Sequence, residues 1–275
     1  MNKILKKLLV GELSLKRLMR SILLFPFLLY LGLALYAYFF SERMIFQPQL
    51  SSYRDDAGII KLTCSDGTKI SARLYENPNA AHTILFSHGN AEDIGTSDFI
   101  MREFQKNGFA VLAYDYHGYG TSGGTPTEEN VYRAVDAAYD YLTGEMKIPP
   151  EKIIVYGRSL GGAAAIDLAS RRKAGGLIVE STFVTAFRVL TKIPIFPFDK
   201  FRNIKKIKNV KCPVLFVHGR KDGLIPFWHA EKLFAAANEP KFSFWIDEAD
   251  HNDVSSVGAE SYLRKIRDFA DNLPK

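Results

Sequence analysis

Short apolar segments rich in isoleucine, valine and phenylalanine recur along the chain after residue 58, bounded by glycine, proline or polar residues. Segments of this length and composition are typical of buried β-strands. Eight of them lie near residues 59–63, 70–75, 83–87, 110–114, 153–156, 177–179, 214–218 and 242–246. After the first pair they alternate with helical patterns, which predicts an α/β domain with a mostly parallel eight-stranded sheet and helices on both faces. Right-handed crossovers then bring the loops that follow the strands to one edge of the sheet.

A longer apolar segment of a different kind precedes the strands. Residues 22–40 are nineteen consecutive residues without a charge, and as a helix they span about 28 Å, close to the hydrocarbon thickness of a bilayer. A cleaved signal peptide and a buried helix are the alternatives. We favour a single transmembrane helix, because the run exceeds a typical signal h-region and no small-residue cleavage site follows it.

The basic charge is concentrated around this predicted helix. Residues 1–43 hold seven Lys or Arg and two Glu, so only one unit of the net charge of +6 belongs to the rest of the chain. The high pI therefore gives no argument for nucleic-acid binding. The positive-inside rule predicts a cytoplasmic basic segment over 1–21, with a connector over 41–58 and a folded domain over 59–275 on the other side, the periplasm if the protein is bacterial.

The strongest candidate for chemistry follows the strand near 153–156. There the sequence Gly157-Arg158-Ser159-Leu160-Gly161 leads into a run of small residues that favours a helix. A strand, a sharp turn and a helix form the setting in which a serine hydroxyl is exposed on a strained backbone. This context predicts that Ser159 is a nucleophile; the alternative is an ordinary turn serine.

A serine nucleophile needs a base, and the base needs a carboxylate to orient it. Asp222 lies in the loop after the strand near 214–218, and His251 lies in the loop after the last strand. The order serine, acid, histidine is the one expected of this strand–turn–helix type of site. We predict Asp222 as the acid and His251 as the base. Glu180, at the end of the strand near 177–179, is the alternative acid, and a solvated loop histidine is the alternative interpretation of His251.

An acyl-transfer site also needs N–H donors for the oxyanion that forms on the substrate. We predict the backbone N–H of Leu160 as one donor and that of Asn90, in the loop after the third strand, as the other; Ala91 is the alternative to Asn90. Such a site needs no cofactor. The other five histidines are scattered without metal-ligand spacing, so no metal site is predicted.

Four motifs together resemble the small membrane-anchored serine hydrolases of the α/β-hydrolase superfamily. They are residues 87–93 (SHGNAED), 114–124 (YDYHGYGTSGG), 157–162 (GRSLGG) and 218–222 (HGRKD). The resemblance extends from about Ile59 to the C-terminus and implies the α/β-hydrolase fold. Eukaryotic relatives include lipid hydrolases and protein depalmitoylases. Members often carry a glycine before the catalytic histidine, whereas Asp250 precedes His251 here.

The segment 181–211 lies where hydrolases of this class insert a lid, and here it is short. Its apolar residues and lysines suggest a site mouth that faces lipid, and a core-packed connector with a solvated basic face is an equal alternative. These residues are Phe183, Phe187, Ile193, Pro194, Ile195, Phe196, Pro197, Phe198, Phe201, Lys205, Lys206, Lys208 and Lys211. For Cys64 and Cys212 a disulfide and two thiols both remain open.

Taken together, the sequence predicts a membrane-anchored serine hydrolase of the carboxylesterase, lipase or thioesterase type, acting on acyl esters or thioesters that include lipid-like substrates. Two alternatives remain within enzymes, a peptidase and an acyltransferase on the same triad. The alternative from another class is a non-catalytic, membrane-tethered binding or scaffold protein.

Overall fold

The structure, a computed structural model, describes residues 15–274, with side chains from residue 19 onward. The contacts divide the chain after Met44 into two compact units. The second unit begins at Ile45, so it contains most of the predicted connector as well as the predicted catalytic domain. Most of the predicted basic segment 1–21 lies outside the described residues.

Within the described residues, the first unit consists of the long helix α1 (Leu15–Ile45), whose last residue belongs to the second unit. Its part from Met19 to Ile45 is long and apolar enough to cross a bilayer, judged by length and composition. Large apolar side chains along it are exposed, among them Leu23 and Phe25 at about 70%. The helix is longer than the predicted span 22–40 because it continues through polar residues such as Glu42 and Arg43.

The second unit is built on an eight-stranded sheet in the order β1-β2-β4-β3-β5-β6-β7-β8. The strands are β1 (Ile59–Thr63), β2 (Lys69–Tyr75), β3 (Thr83–Ser87), β4 (Ala110–Tyr114), β5 (Ile153–Arg158), β6 (Gly176–Glu180), β7 (Val214–Gly219) and β8 (Lys241–Ile246). Strand β2 runs antiparallel to both β1 and β4, and all other pairs are parallel. The predicted mostly parallel, eight-stranded α/β fold is confirmed, with strand ends shifted by at most two residues.

Helices connect most of these strands. Within the described part of the second unit they are α2 (Asp98–Lys106), α3 (Glu128–Asp140), α4 (Leu160–Arg171), α5 (Asn203–Lys206), α6 (Trp228–Ala236) and α7 (Val254–Asp271). Helix α3 begins at a typical cap, where the Thr127 side chain accepts a hydrogen bond from the N–H of Asn130,. Helix α7 is interrupted at Ala259, whose φ is 45°.

Two hydrophobic clusters fill the two faces of the sheet. In β5, Ile153 and Val155 belong to the cluster that contains α4, whereas Ile154 and Tyr156 belong to the cluster with Phe104 of α2 and parts of α7. Successive side chains of a strand point to opposite faces, so a strand covered on both faces reads as a continuous apolar run. This explains why the strands lack polar alternation in the sequence.

The segment 181–211 has features of both interpretations drawn from the sequence. Phe183 and Phe201 are buried in the core, while Leu190 and Ile193 are exposed at 82% and 69%. Of the lysines, Lys206 forms an ion pair with Asp167 and lies over the Tyr132 ring. The aromatic residues therefore contribute largely to packing, and the exposed apolar surface comes from aliphatic side chains.

Candidate active site

The turn between β5 and α4 carries Ser159 on a backbone that most residues avoid. Its φ and ψ are 53° and −115°, in a region that costs free energy for any residue with a Cβ. The flanking glycines make the turn possible. A Cβ on Gly157 would lie 2.2 Å from the carbonyl oxygen of Gly161, and one on Gly161 would lie 2.0 Å from that of Ser87. The strained serine turn expected from the motif is present.

The structure brings Ser159, His251 and Asp222 together at the carboxyl edge of the sheet. His251 Nε2 lies 3.0 Å from Ser159 Oγ, and His251 Nδ1 lies 2.8 Å from Asp222 Oδ2. All three residues are at most 7% exposed. A carboxylate accepts but does not donate, so Nδ1 carries the proton and Nε2 is free to accept the serine hydroxyl.

Asp222 accepts hydrogen bonds from three N–H donors, and His218, which donates to the carbonyl of Ile225 at 2.8 Å, lies beside it. Its Oδ1 accepts the backbone N–H groups of Leu224 and Ile225 at 3.0 and 2.6 Å. Its Oδ2 lies 2.8 Å from His251 Nδ1 and 3.3 Å from Nε2 of His218. Burial lowers the pKa of His218, which keeps that ring neutral beside the carboxylate. These contacts fix the position of the Asp222 carboxylate beside His251.

Asp250, which directly precedes His251, accepts two backbone N–H groups. Its carboxylate accepts the N–H of Gly223 at 2.8 Å and the N–H of His251 at 2.7 Å. These two bonds hold its pKa below the usual range. The side chain thus joins the loop that carries the acid to the loop that carries the histidine, which the sequence did not reveal.

Glu180, the alternative acid, has other partners. Its Oε2 accepts the hydroxyls of Tyr156 and Tyr262 at 2.5 and 2.7 Å, and its Oε1 lies 3.3 Å from Nε of Arg158. Glu180 is buried. Of the two candidate acids, Asp222 is the one in hydrogen-bond contact with His251.

The two predicted oxyanion donors lie at the start of α4 and in the loop after β3. Leu160 is the first residue of α4, and N–H groups of a first helical turn have no partner within the helix. Within the described residues, the Asn90 N–H donates to no protein atom, whereas the Ala91 N–H donates to Asn90 Oδ1 at 3.1 Å. This favours Asn90 over Ala91 as the second donor.

Arg158, inside the serine motif, connects three loops of the site. Its guanidinium pairs with Glu92 of the loop after β3 and with the buried Glu180. It also donates to the Asn252 side chain at 2.8 Å and to the carbonyl of His251 at 3.3 Å. Planar, multidentate hydrogen bonding is the property that distinguishes arginine from lysine. Sequence reasoning missed this residue because all of its partners are distant in the chain.

Substitution of Arg158 by alanine is expected to lower kcat of ester hydrolysis roughly tenfold to a hundredfold, because small displacements of catalytic groups are costly. It should also lower the melting temperature, since the buried Glu180 carboxylate loses its cation. Steady-state kinetics and thermal unfolding measure both. Arg172→Ala is the matched control, because Arg172 pairs with Asp136 and Asp140 on the surface. Unchanged kcat in Arg158→Ala would contradict the positioning role.

His229, fully buried at the start of α6, gives the structure a pH dependence. Burial lowers the pKa of His229 to about 4 from its usual 6.5, and its Nδ1 accepts the N–H of Val184 at 3.1 Å. Below pH 6.5 the imidazole is protonated in the unfolded chain but stays neutral in the folded chain. The free energy of unfolding therefore decreases as the pH is lowered from 6.5 to 4, by roughly 3 kcal/mol for a shift of this size. Chemical denaturation against pH should show the fall. His229→Asn, whose amide oxygen can accept the same N–H, should flatten it; an equally steep fall in that variant would refute the assignment.

One group of possible metal ligands occurs in the described part of the chain. Cys64, Asp66 and His117 place their ligand atoms within 4.8 Å of one another. Arg133 lies 3.8 Å from the Asp66 carboxylate, and burial raises the pKa of the Cys64 thiol to about 12. A nearby cation and a protonated thiol both work against a bound metal ion. Cys64 and Cys212 are free thiols.

Known proteins resemble this chain both in sequence and in fold. The family described as serine aminopeptidase, S33, matches residues 78–196. The human alpha/beta hydrolase domain-containing protein 17B is 38% identical over 227 residues, which cover 80% of this chain and 78% of that protein. An esterase structure from Pyrococcus furiosus has a TM-score of 0.68 at 19% identity, covering 83% of this chain and 98% of that one. The mouse alpha/beta hydrolase domain-containing protein 10 has a TM-score of 0.61 at 20% identity, covering 78% and 99%. At such identities the solved structures establish the fold.

Proposed function

Since this chain belongs to the family of alpha/beta hydrolase domain-containing proteins and is a serine hydrolase of the esterase type, we propose that it is anchored in a membrane and cleaves acyl esters or thioesters. Ser159, His251 and Asp222 are its proposed catalytic triad. The proposal is carried by one observation, the continuous hydrogen-bonded chain from Ser159 Oγ through the imidazole to a buried carboxylate.

The proposed reaction proceeds through an acyl-enzyme. Ser159 Oγ attacks the carbonyl carbon while its proton passes to His251 Nε2, and the backbone N–H groups of Leu160 and Asn90 stabilise the oxyanion. The bond to the alcohol or thiol then breaks, and the leaving group takes the proton from Nε2. Water next gives a proton to Nε2 and attacks the acyl carbon, and Ser159 leaves with that proton. Asp222 remains ionised and fixes the imidazole.

Membrane anchoring is proposed for the helix α1. Its length, its apolar composition and its exposed apolar side chains support this role. The excess of Lys and Arg before residue 22 supports an orientation with that segment in the cytoplasm and the catalytic domain on the other side,. Cysteine-accessibility labelling of intact cells, with a single introduced thiol at Leu50, would test the orientation. Labelling of intact cells by an impermeant reagent is the expected result. Labelling only after the cells are permeabilised would show the opposite orientation.

Acyl substrates are proposed because the segment after β6 offers aliphatic side chains and the helix α1 would keep the enzyme at a lipid surface. Leu190 and Ile193 are exposed in that segment, which begins beside the nucleophile, where the Thr182 hydroxyl donates to the carbonyl of Ser159. Exposed apolar side chains favour ligands with apolar chains.

The specific alternative is an aminopeptidase, which the description of the matching family favours. Purified full-length protein in detergent micelles should be assayed with p-nitrophenyl esters and acyl thioesters of increasing chain length, and in parallel with amino-acid anilides. We expect hydrolysis of the esters and thioesters, with kcat/KM rising with chain length. Faster cleavage of the anilides would instead support the peptidase. Transfer of the acyl group to an added alcohol in preference to water would support an acyltransferase. The absence of turnover with every substrate would support a scaffold protein.

A further inference from the structure

The segment of residues 45–55, which begins at the last residue of the apolar helix, is bound to the loop that carries the proposed oxyanion donor. We call residues 45–55 the strap and residues 88–95 the oxyanion loop. From the sequence, the strap had no predicted role beyond connection. In the structure it belongs to the catalytic unit and makes contacts along most of its length.

The first attachment is made by the side chain of Asn90. Its Nδ2 donates to the carbonyl of Ile45 at 2.6 Å, and its Oδ1 accepts the N–H of Gln47 at 3.1 Å. The hydroxyl of Tyr119 completes the group, because it donates to Asn90 Oδ1 at 2.6 Å and accepts the N–H of Gln47 at 3.2 Å. The residue whose N–H would bind the oxyanion thus has both polar atoms of its side chain bonded to the strap.

A second attachment lies at the other end of the oxyanion loop. The carboxylate of Asp93 accepts the N–H and the hydroxyl of Ser52 at 2.7 and 2.5 Å. Burial alone would raise the pKa of Asp93, but hydrogen bonds from Ser52 and Thr96 outweigh it and hold the pKa below its usual value. A Cβ on Gly95 would lie 2.3 Å from Ser52 Oγ. Strap and loop are therefore in direct contact at both ends of the loop.

The strap is itself fixed in the catalytic unit. Phe46 is 5% exposed and its ring centre lies 5.9 Å from that of Phe201. Tyr53 donates to the buried carboxylate of Asp115, whose other oxygen accepts the N–H of Ile94 in the oxyanion loop at 2.9 Å. A rigid strap can therefore hold the loop in one conformation.

The oxyanion loop needs such support because its own backbone is unfavourable. Ala91, directly after the proposed donor, has a φ of 58°, which a residue with a Cβ rarely adopts. Donors of an oxyanion hole act through their fixed position, and a displacement of about 1 Å is enough to lose much of the effect. We propose that the strap is a positioning element of the active site, holding the N–H of Asn90 toward the acyl oxygen. This inference rests on the proposed function.

The test removes the bond between strap and loop in the full-length protein in detergent micelles. Gln47→Pro deletes the N–H that reaches both Asn90 and Tyr119, and Leu50→Pro is the matched control, because Leu50 is 96% exposed and within the described residues its N–H donates to no protein atom. Tyr119→Phe removes the shared hydroxyl from the other side and remains informative if Gln47→Pro does not fold. The measurements are kcat and KM for a short-chain ester, the affinity of a trifluoromethyl ketone, and the melting temperature.

We expect Gln47→Pro to lower kcat roughly tenfold to a hundredfold, with KM within about twofold of the wild-type value. Tyr119→Phe should show a smaller decrease in kcat, also with KM nearly unchanged. The ketone forms a tetrahedral oxyanion on the serine, so its affinity should fall by the same factor as kcat/KM. Leu50→Pro should keep the parent values. If the ketone inhibits wild type and both folded variants equally, the strap inference is wrong and the triad is unaffected. If the ketone does not inhibit wild type, the proposed function fails and the strap role with it.

Discussion

Substitution of Ser159 by alanine is expected to reduce kcat for ester hydrolysis by a factor of about 10⁶, the scale observed when the serine of a triad is removed. The proposed acyl-enzyme cannot form without Oγ, and the imidazole of His251 then has no proton to accept from the nucleophile. KM for a short-chain ester should change little, because the hydroxyl contributes chiefly in the transition state. The melting temperature should change little, because alanine keeps the Cβ and only the hydrogen bond between the hydroxyl and His251 is lost.

The matched control for this change is Ser170→Ala. Ser170 lies on α4, the helix that follows the nucleophile, and its hydroxyl donates to the carbonyl of Asp167 within the same helix. It should retain wild-type kcat. Residual activity in purified Ser159→Ala above about one per cent of wild type would contradict the assignment of the nucleophile, since triad removal costs far more.

Substitution of Asp222 by asparagine is expected to reduce kcat by about 10⁴, because an amide donor opposite Nδ1 favours the wrong imidazole tautomer. Nδ1 would then accept from the amide, and the proton on Nε2 would block transfer from Ser159. The loop geometry should survive, since the Oδ1 of the introduced asparagine can still accept the N–H groups of Leu224 and Ile225. Raising the pH should restore part of the activity as hydroxide removes the serine proton.

Glu180→Gln distinguishes the two candidate acids. Glu180 contacts Tyr156, Tyr262 and Arg158. Its substitution should therefore lower the melting temperature, and it should lower activity only because Arg158 is held less firmly. Because the loss for the orienting acid of a triad is about 10⁴, we expect a much smaller loss of kcat in Glu180→Gln than in Asp222→Asn. A larger loss of kcat in Glu180→Gln than in Asp222→Asn would show that Glu180, not Asp222, is the acid of the triad.

Much of the fold could be predicted from the sequence because its strands are buried on both faces. Runs such as Ile153 to Tyr156 are apolar at every position, and glycine-rich turns separate them from helices. The antiparallel pairing of β2 with β4 was harder to predict, because these two strands are not consecutive in the sequence.

The residues brought together at the site were predictable where a local motif marks them. Ser159 lies in a short pattern with glycines on both sides, and Asp222 and His251 follow strands whose carboxyl ends meet at one edge. The sequence favoured Asp222 and left Glu180 as the alternative, because both lie at or after the carboxyl ends of parallel strands and the sequence does not give their distance from His251.

The supporting residues could not be predicted because their contacts join distant parts of the chain. Arg158 donates a hydrogen bond to Asn252, 94 residues away in sequence, and Gln47 donates one to Tyr119, 72 residues away. The strap has neither helical nor strand periodicity, so its only predicted role was that of a connector. Long-range polar contacts leave no local pattern, although they fix the loops on which the proposed chemistry depends.

Covalent labelling would show whether Ser159 is an activated nucleophile. The full-length protein in detergent micelles should be treated with a fluorophosphonate, digested, and examined by peptide mass spectrometry. An activated Ser159 should give one adduct, on Ser159, with no adduct in Ser159→Ala and slow labelling in Asp222→Asn. An adduct on another residue, or the absence of labelling in folded wild-type protein, would contradict this assignment.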